Sequence, residues 1–374
     1  MIILSVQPAA RRGGPSIQHL NFAKKSIDMG FEHHACIRED HEMLDEYRET
    51  FSSVTTFKPV NAIIPRSISP IKLLNYRKLV KEIAETIKQT AKDINADAIW
   101  TVNDAFLAGP IAAKQIGIPA ITHFLGMTSY RPKPVGLGLV AFHKKYSNRL
   151  ISCQDLIAED LISLGFPRDR MDIVYNGIDT EKFASDNRKT DDQDNLNIGM
   201  VANLDRRKGL MLFIEAAILV SKTRQGVEFR IAGQLEGDST YLEEIKNRIA
   251  DEGMQNKIHL DGVVKSMPDW YKALDICCVP SLIEALSVAS LEAMASSLPL
   301  VATDVGGNYL AVKHERNGLL SKPNDPESLA QGIIELCNSS QLRRKYGEEG
   351  KLIAKNTFSL GKVVENLNQA FSKV

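Results

Sequence analysis

The feature that most limits the fold of this chain is a regular alternation of short apolar runs with longer amphipathic stretches. Runs such as 2–6, 196–201 and 276–279 are bounded by turn-forming residues and are followed by segments with helical spacing of apolar positions. Strands that alternate with helices in this way form parallel sheets covered on both faces. Because 374 residues exceed a single core of this kind, we expect an α/β protein with two doubly wound parallel-sheet domains.

Composition excludes several functional classes. Lys plus Arg number 46, as do Asp plus Glu, so the overall charge gives no reason to expect binding to nucleic acid. No apolar run approaches the roughly 18 residues of a membrane span, and the first residues do not have the pattern of a signal peptide. The five cysteines lack the spacing of metal ligands. We therefore expect reduced core thiols in a cytoplasmic protein.

The stretch 280–307 carries two carboxylates in positions that suggest chemistry. Glu284 lies in a strand-to-helix connection, which is where open parallel sheets bind ligands. Glu292 lies in an apolar run that predicts a buried helix, where a carboxylate is costly unless a partner satisfies it. The free N–H groups at the start of that helix favour an anion. Either glutamate alone could be a helix cap or a surface residue, but the two together favour a binding site.

A second turn of interest is the basic loop 202–209, between the predicted strand 196–201 and a predicted helix at 210–222. Lys208 stands at the start of that helix. A lysine there opposes the helix dipole unless an anion is also bound. The position therefore predicts a phosphate site, and simple exposure to solvent is the alternative interpretation.

These motifs resemble those of the retaining nucleotide-sugar glycosyltransferases of family 4, which have the two-domain GT-B fold. The resemblance rests on Glu-x7-Glu followed by Ala-Met-Ala and Gly-Gly in 284–307, on Lys208-Gly209, and on the turn after Gly262. It implies two Rossmann-like domains facing a cleft. The first would comprise 1–180 with the returning helix 357–374, and the second 181–356. The polar residues 184–197 would link them.

The resemblance also implies roles for individual residues of the second domain. Glu284 would contact the transferred sugar, Glu292 the ribose hydroxyls and Lys208 the donor phosphates. The nucleobase would be contacted by backbone groups near Val264. The further donor-binding positions are Asn203, Arg207, Leu286, Ser287 and Val288. The family often has arginine where Asn203 stands, so Arg206 or Arg207 would supply any second cation.

Before residue 180 the resemblance rests mainly on Gly13-Gly14 and His123. Two glycines after the strand 2–6 allow a bulky group to approach the backbone, and Pro15 suits the first position of a helix. His123 directly follows the predicted strand 118–122, at the edge where ligands bind. By resemblance the glycines lie beside the donor diphosphate and His123, with Lys208 and Glu284, belongs to the catalytic set. A tight turn and a core histidine are the alternatives.

Two segments of the first half bear on the acceptor. The predicted helix 66–92 is rich in basic residues, which favours either anionic lipid head groups at the inner face of a membrane or an ordinary solvated surface. The loop 126–138, with Arg131 and Lys133, has the length of a mobile acceptor loop. The acidic stretch 39–49 is predicted only to separate two strands.

The sequence thus predicts a retaining glycosyltransferase that moves a sugar from a UDP- or GDP-sugar to a glycan or lipid-linked acceptor, in cell-surface polysaccharide or glycoconjugate synthesis. No metal or other cofactor is required, because Lys208 and helix N-termini can hold the diphosphate charge. Asp192-x-Asp194 lies in the predicted linker and is discounted as a metal motif. Two alternatives stay open: a nucleotide-sugar epimerase or phosphorylase-like enzyme, and an inactive sugar-nucleotide-binding protein. Departures from the family pattern at Asn203, Ser287 and Ser297 keep the second alternative open.

Overall fold

A computed structural model describes residues 1–58, 70–124, 133–184, 195–235 and 238–374, with side chains left out for 70–74. The chain divides into two compact units. Unit 1 comprises Met1–Gly177 and Leu360–Val374, and unit 2 comprises Ile178–Ser359. The domain limits expected from the sequence, 180/181 and 356/357, lie within a few residues of these boundaries. Most of the predicted linker 184–197, including Asp192-x-Asp194, lies outside the described residues.

Within the described residues, unit 1 contains a 7-stranded parallel sheet of order β3-β2-β1-β4-β5-β6-β7. Its strands are β1 (Ile2–Gln7), β2 (Glu32–Arg38), β3 (Val54–Phe57), β4 (Ala98–Val102), β5 (Ala120–Phe124), β6 (Arg149–Ser152) and β7 (Met171–Ile173). Its helices are α1 (Gly14–Asp28), α2 (Leu44–Thr50), α3 (Pro70–Asp93), α4 (Ala108–Ile116), α5 (Lys133–Tyr146), α6 (Asp155–Ser163) and α14 (Leu360–Phe371). The strand order reverses between β1 and β4.

Unit 2 contains, in its described part, a 6-stranded sheet of order β10-β9-β8-β11-β12-β13. The strands are β8 (Leu196–Val201), β9 (Val227–Ala232), β10 (Ile258–Gly262), β11 (Ile276–Val279), β12 (Leu300–Thr303) and β13 (Gly318–Ser321). The helices are α7 (Leu210–Thr223), α8 (Ser239–Asp251), α9 (Met267–Lys272), α10 (Val288–Ala295), α11 (Asn308–Ala311), α12 (Pro326–Cys337) and α13 (Ser340–Ile353). All of its strand pairs are parallel. Here the order reverses between β8 and β11.

The composition of the central strands explains the layered architecture. Every residue of β4 and of β11 is buried, as expected for parallel strands that are covered by helices on both faces. At Gly209 the loop after β8 meets the loop after β11. Gly209 has φ +71°, and a Cβ atom there would lie 1.8 Å from the carbonyl oxygen of Pro280. Only glycine fits this contact, so the two loops are held together by the backbone itself.

The predicted α/β class with two parallel sheets is confirmed, and one local prediction, the loop 126–138, was partly wrong. The acidic stretch 39–49 separates β2 from β3 as expected, and it also contains the short helix α2, whose one buried residue is Tyr47. A single buried position gives no helical period to recognise. Of the predicted loop 126–138, residues 126–132 lie outside the described part, but Lys133 begins helix α5. Pro134 is compatible with this because a first turn needs no N–H from proline.

Unit 1 encloses several histidines around Trp100. The ring centroids of His19, His33 and His123 lie 4.8, 6.3 and 6.3 Å from the centroid of the indole ring. Burial lowers the pKa of His33 and of His123 to about 3, and it lowers the pKa of His19 well below its usual value. The folded state therefore holds these imidazoles in their neutral form, and protonating them favours unfolding. The stability they contribute is present above about pH 6.5 and is lost as the pH falls towards 3.

We expect the unfolding temperature of the protein to fall steadily between pH 6.5 and pH 4. His33→Gln should reduce that slope, because one buried titrating group is removed. His314→Gln, which changes a side chain that is 52% exposed, should leave the slope unchanged. Thermal unfolding followed by circular dichroism at several pH values measures both. An unfolding temperature that is constant over this range would contradict the expectation.

Candidate functional site

Two loops of unit 2 meet at the point where its strand order reverses. Residues 203–209 follow β8, and residues 280–287 follow β11, the neighbouring strand. Open parallel sheets bind ligands outside the carboxyl ends of the strands at such a point. Lys208 lies in the first loop and Glu284 in the second. The topology therefore brings these two predicted site residues to one edge of one sheet.

Lys208 and Glu284 form an ion pair. The Lys208 Nζ atom lies 2.7 Å from Glu284 Oε2, and the Ser281 hydroxyl donates to the same oxygen at 3.0 Å. The other carboxylate oxygen accepts the backbone N–H of Ala285 at 3.2 Å. Only 9% of the Glu284 side chain is exposed, against 37% of the Lys208 side chain. The carboxylate is thus held in place from three sides while the lysine still reaches solvent.

Both glycines of the Gly306-Gly307 motif lie against the backbone carbonyl group of Glu284. Gly306 has φ +50°, and a Cβ atom there would lie 1.8 Å from the carbonyl oxygen of Glu284. Gly307 donates its backbone N–H to that same oxygen at 3.1 Å. The backbone of Glu284 therefore explains the motif without any ligand. Its part in the site is to position the carboxylate.

The structure separates the two arginines that precede Lys208. Arg206 stacks on Tyr241, with its guanidinium carbon 4.1 Å from the ring centroid, and pairs with Glu244 at 2.8 Å. Arg207 bonds to Asp205, and this bond, together with the charge of Glu284, raises the pKa of Arg207. Arg207 is therefore the arginine on the Glu284 side. It is the better candidate for a second cation.

Asn203 and Val264 also lie at the carboxyl edge of this sheet. Asn203 is exposed, and its Oδ1 atom accepts the backbone N–H of Gln234 at 3.3 Å. Val264 is half-buried in the turn after β10, next to Val263, which is 76% exposed. The preceding Asp261 fixes that turn through Arg230 and through the indole N–H of Trp270, which donates at 2.7 Å. The positions predicted for the phosphates and the base thus share one edge.

Glu292 lies on helix α10, as predicted, and faces helix α9. The hydroxyl of Tyr271 donates to its Oε2 atom at 2.9 Å. Burial raises the pKa of Glu292 to about 7, although the Tyr271 bond and the charge of Lys182 act in the opposite direction. The carboxyl group therefore gains and loses its proton near neutral pH.

Of the two serines that depart from the family pattern, Ser287 has a structural explanation and Ser297 does not. Ser287 caps α10, since its hydroxyl accepts the N–H of Ser290 at 3.3 Å, and it is buried beside Leu286. Val288, the first residue of the helix, is half-buried. Ser297 has φ +57°, a left-handed conformation that costs a residue other than glycine about 1–2 kcal/mol. Neither serine obstructs the Lys208–Glu284 pair.

In unit 1, the predicted Gly13-Gly14 turn leads from β1 into α1. Gly13 has extended backbone, with φ −167°, and a Cβ atom there would meet nothing within 4 Å. Gly14 begins the helix, and Pro15 follows in its first turn. The backbone of unit 1 therefore gives no reason for glycine at position 13.

The placement of His123 differs from the prediction. The expected strand 118–122 is β5, Ala120–Phe124, so His123 lies inside the strand and not after it. Pro119 cannot donate to a sheet, which moves the strand start to Ala120. His123 is 2% exposed and stacks on Phe22, with ring centroids 6.5 Å apart. Among the described residues, neither of its ring nitrogens has a hydrogen-bond partner.

In the described part of the chain, no group of three or more His, Cys, Asp or Glu side chains is placed to hold a metal ion. No helix of that part is both long and apolar enough to cross a membrane. The expectation that no metal or cofactor is needed stays a prediction.

Sequence reasoning did not find Ser281 or Tyr271. Ser281 stands three positions before Glu284, directly after Pro280, and its place beyond a strand end was the available signal. Tyr271 lies 21 positions from Glu292, and its local pattern is that of any core tyrosine. Contacts between helices of this kind leave no local spacing to recognise.

Comparison with known proteins agrees with this architecture. Residues 12–182 match Glycosyltransferase Family 4, and residues 181–353 match Glycosyl transferases group 1. A D-inositol 3-phosphate glycosyltransferase of Paenarthrobacter aurescens is 29% identical over 57% of this chain and 54% of its own length. A UDP-Gal:alpha-D-GlcNAc-diphosphoundecaprenol alpha-1,3-galactosyltransferase of Escherichia coli is 28% identical over 63% of this chain and 65% of its own. The chain thus spans 54% and 65% of the lengths of these two relatives.

The fold has close parallels among solved structures. Anabaena Alr3699/HepE, in a crystal structure with UDP-glucose, superposes with a TM-score of 0.84 at 21% identity, over 100% of both chains. At this identity the likeness shows the fold. Together with the two family matches, which follow one another along the chain, it shows a GT-B fold whose first half belongs with Glycosyltransferase Family 4 and whose second half belongs with Glycosyl transferases group 1.

Proposed function

We propose that the protein is a retaining glycosyltransferase that moves a hexose from a nucleoside-diphosphate sugar to a glycan or lipid-linked acceptor. The observation that carries the proposal is the Lys208–Glu284 pair at the β8/β11 switch point, with its 2.7 Å contact. The names of similar proteins support a nucleotide-sugar donor, since one is a UDP-Gal galactosyltransferase and another is a complex with UDP-glucose. Synthesis of polysaccharides or glycoconjugates fits the same names.

In this mechanism the second unit binds the donor and stabilises its leaving group. Lys208, with Arg207 as second cation, stabilises the negative charge that grows on the departing diphosphate. The free N–H groups at the start of α10 add to that field. The acceptor proton passes to the leaving diphosphate, so no strongly basic side chain is needed. Glu284 accepts hydrogen bonds from the sugar hydroxyls, and Glu292 accepts them from the ribose.

Donor binding would exchange the partners of Lys208 and Glu284. An incoming diphosphate competes with Glu284 for the ammonium group, and the sugar hydroxyls offer Glu284 replacement donors. Ser281 and Ala285 keep the carboxylate in position while its partner changes. The retaining outcome rests on the resemblance to family 4. The proposal places the nucleobase against backbone groups near Val264.

A panel of UDP- and GDP-sugars tests the proposal. We expect slow hydrolysis of one donor, transfer to a suitable acceptor, and a thermal shift with the matching nucleoside diphosphate. NMR of the product should show the anomeric configuration of the donor. Epimerised donor, phosphate-dependent cleavage, or binding without any turnover would each replace the proposal with one of the alternatives. A product of inverted configuration would refute the retaining mechanism.

Gly13 offers a test that is separate from folding. Gly13→Ala should not lower the unfolding temperature, because the backbone is extended and the Cβ atom has open space. If the donor lies against this loop, the added methyl group should lower kcat/KM about 10- to 100-fold, as small misplacements in active sites do. Gly30→Ala is the control, since it is also surrounded by open space but has φ +92° and should affect only stability. Full activity of Gly13→Ala would exclude the loop from the site.

We further propose a cytoplasmic location, with unit 1 resting on anionic lipid at the inner face of a membrane. The five cysteines are all buried, which suits a reducing compartment. On α3 the residues Arg77, Lys78 and Lys81 are exposed. Sedimentation with anionic and with neutral vesicles tests the contact. Equal recovery in both, or no effect of reversing these three charges, would leave α3 as a solvated surface.

A further inference from the structure

Tyr271 occupies an unusual position between two acceptors. It is completely buried on α9, where its ring packs against Trp270 and Phe183 at centroid distances of 5.3 and 6.1 Å. Its hydroxyl lies 2.9 Å from Glu292 Oε2 and 3.3 Å from the carbonyl oxygen of Ala289. A phenol has one proton to donate, so the two acceptors compete for it.

With this geometry, the Glu292 carboxyl group and the Tyr271 hydroxyl both have hydrogen-bond partners whether Glu292 is ionised or protonated. When Glu292 is ionised, the phenol donates to Oε2. When Glu292 is protonated, its O–H can donate to the phenol oxygen while the phenol donates to Ala289 instead. In neither state is a buried polar group left without a partner, which would cost about 1–3 kcal/mol. The carboxyl group can therefore change charge without disturbing α9 or α10.

We propose that Tyr271 is a positioning residue for recognition of the ribose by Glu292. Its hydroxyl holds Oε2 and favours the ionised carboxylate, which leaves Oε1 to accept from the ribose diol. A diol donates hydrogen bonds, and Oε1 accepts them more strongly when the carboxylate is ionised than when the carboxyl group is protonated. The inference rests on the proposed function, in which Glu292 binds the nucleotide.

The groups that act on Glu292 support this arrangement. They are Tyr271 of α9 and Lys182, which precedes β8, and both lower the pKa of the carboxyl group against the effect of burial. Burial, then the charge of Glu292 and then that of Cys277 on β11, raise the pKa of the Tyr271 hydroxyl. Binding of a ribose diol should therefore draw Glu292 into its ionised form and release a proton at neutral pH.

Tyr271→Phe tests the role directly, because it removes the hydroxyl and keeps the ring. We expect the dissociation constant of UDP or GDP, whichever binds the wild type, to rise about 10-fold or more at pH 7, the scale of a bond to a charged group. The pH at which binding is half-maximal should move upwards, since the lost bond raises the pKa of Glu292. At saturating donor kcat should change little. Tyr346→Phe, at another buried tyrosine of unit 2, is the matched control.

Two further measurements separate positioning from packing. The 2′,3′-dideoxy analogue of the nucleotide should bind the wild type much more weakly than the ribose form, and this penalty should shrink in Tyr271→Phe. Calorimetry of the wild type in two buffers of different ionisation enthalpy should show net proton release at pH 7, which needs no variant to fold. Tight binding to the wild type without proton release, or with the same pH midpoint and diol penalty in Tyr271→Phe, would overturn this inference alone. A wild type that binds neither nucleotide would overturn the proposed function as well.

Discussion

Replacing Lys208 with alanine should lower turnover about 10²- to 10³-fold, the scale for removing one charge-stabilising donor from an active site. The ammonium group lies 2.7 Å from Glu284 and 37% of the side chain is exposed, so it can reach a bound anion. Its charge matters most when the diphosphate departs. We therefore expect kcat to fall more than the KM for donor rises. Steady-state kinetics with varied donor measures both.

Lys222→Ala is the control for this variant. Lys222 stands near the other end of α7, with 64% of its side chain exposed, and its change should leave kcat and KM intact. Circular dichroism should first show that Lys208→Ala is folded. A folded variant with turnover near that of the wild type would show that Lys208 is a surface residue, and the mechanism built on it would fail.

Glu292→Gln should weaken nucleotide binding about 100-fold and yet stabilise the nucleotide-free protein at pH 8. If Glu292 binds the ribose as proposed, the variant loses bonds from the ribose to a charged acceptor, each of which contributes about 1.5–3 kcal/mol. Stability changes in the opposite direction. The pKa of Glu292, about 7 when folded, is raised above its usual value of 4.5, so the wild type loses stability as the pH rises through 7. Glutamine does not titrate and avoids that loss.

Thermal unfolding at pH 5 and pH 8, with and without nucleotide, measures both effects. The unfolding temperatures of variant and wild type should differ at pH 8 and converge at pH 5. Glu284→Gln is the matched comparison, because it should spare nucleotide binding while it damages sugar transfer. If both variants bind UDP or GDP as tightly as the wild type and transfer normally, the roles of the two glutamates are wrong.

The local pattern was sufficient for most of unit 2. The bounds expected for β8 and β11 are those observed, because each is an apolar run between turn residues. The buried helix around Glu292 was predicted for the same reason. In unit 1 the pattern was weaker. Helix α2 contributes one buried residue, and β5 begins two residues later than its apolar run, which carries His123 into the sheet.

The contacts within the site could not be derived from spacing. Lys208 and Glu284 are 76 positions apart, and only the strand order, with β8 beside β11, places their loops together. The sequence left Arg206 and Arg207 equivalent. Arg206 differs because it contacts Tyr241 and Glu244 of α8. These contacts depend on how α8 packs against the loop, which local sequence does not reveal. The role of Gly306 likewise depends on a carbonyl oxygen more than 20 positions earlier in the chain.

The ion pair between Lys208 and Glu284 also bears on the release of the nucleoside diphosphate product. In the proposed mechanism, the sugar hydroxyls that occupy Glu284 leave with the acceptor after transfer, and the nucleoside diphosphate remains on Lys208. The carboxylate, still held by Ser281 and Ala285, is then the nearest replacement partner for the ammonium group. Re-formation of the pair competes with the spent nucleotide but not with a donor whose sugar satisfies Glu284. We therefore expect the intact donor to bind in preference to its own by-product, and the free nucleoside diphosphate to be a weak inhibitor.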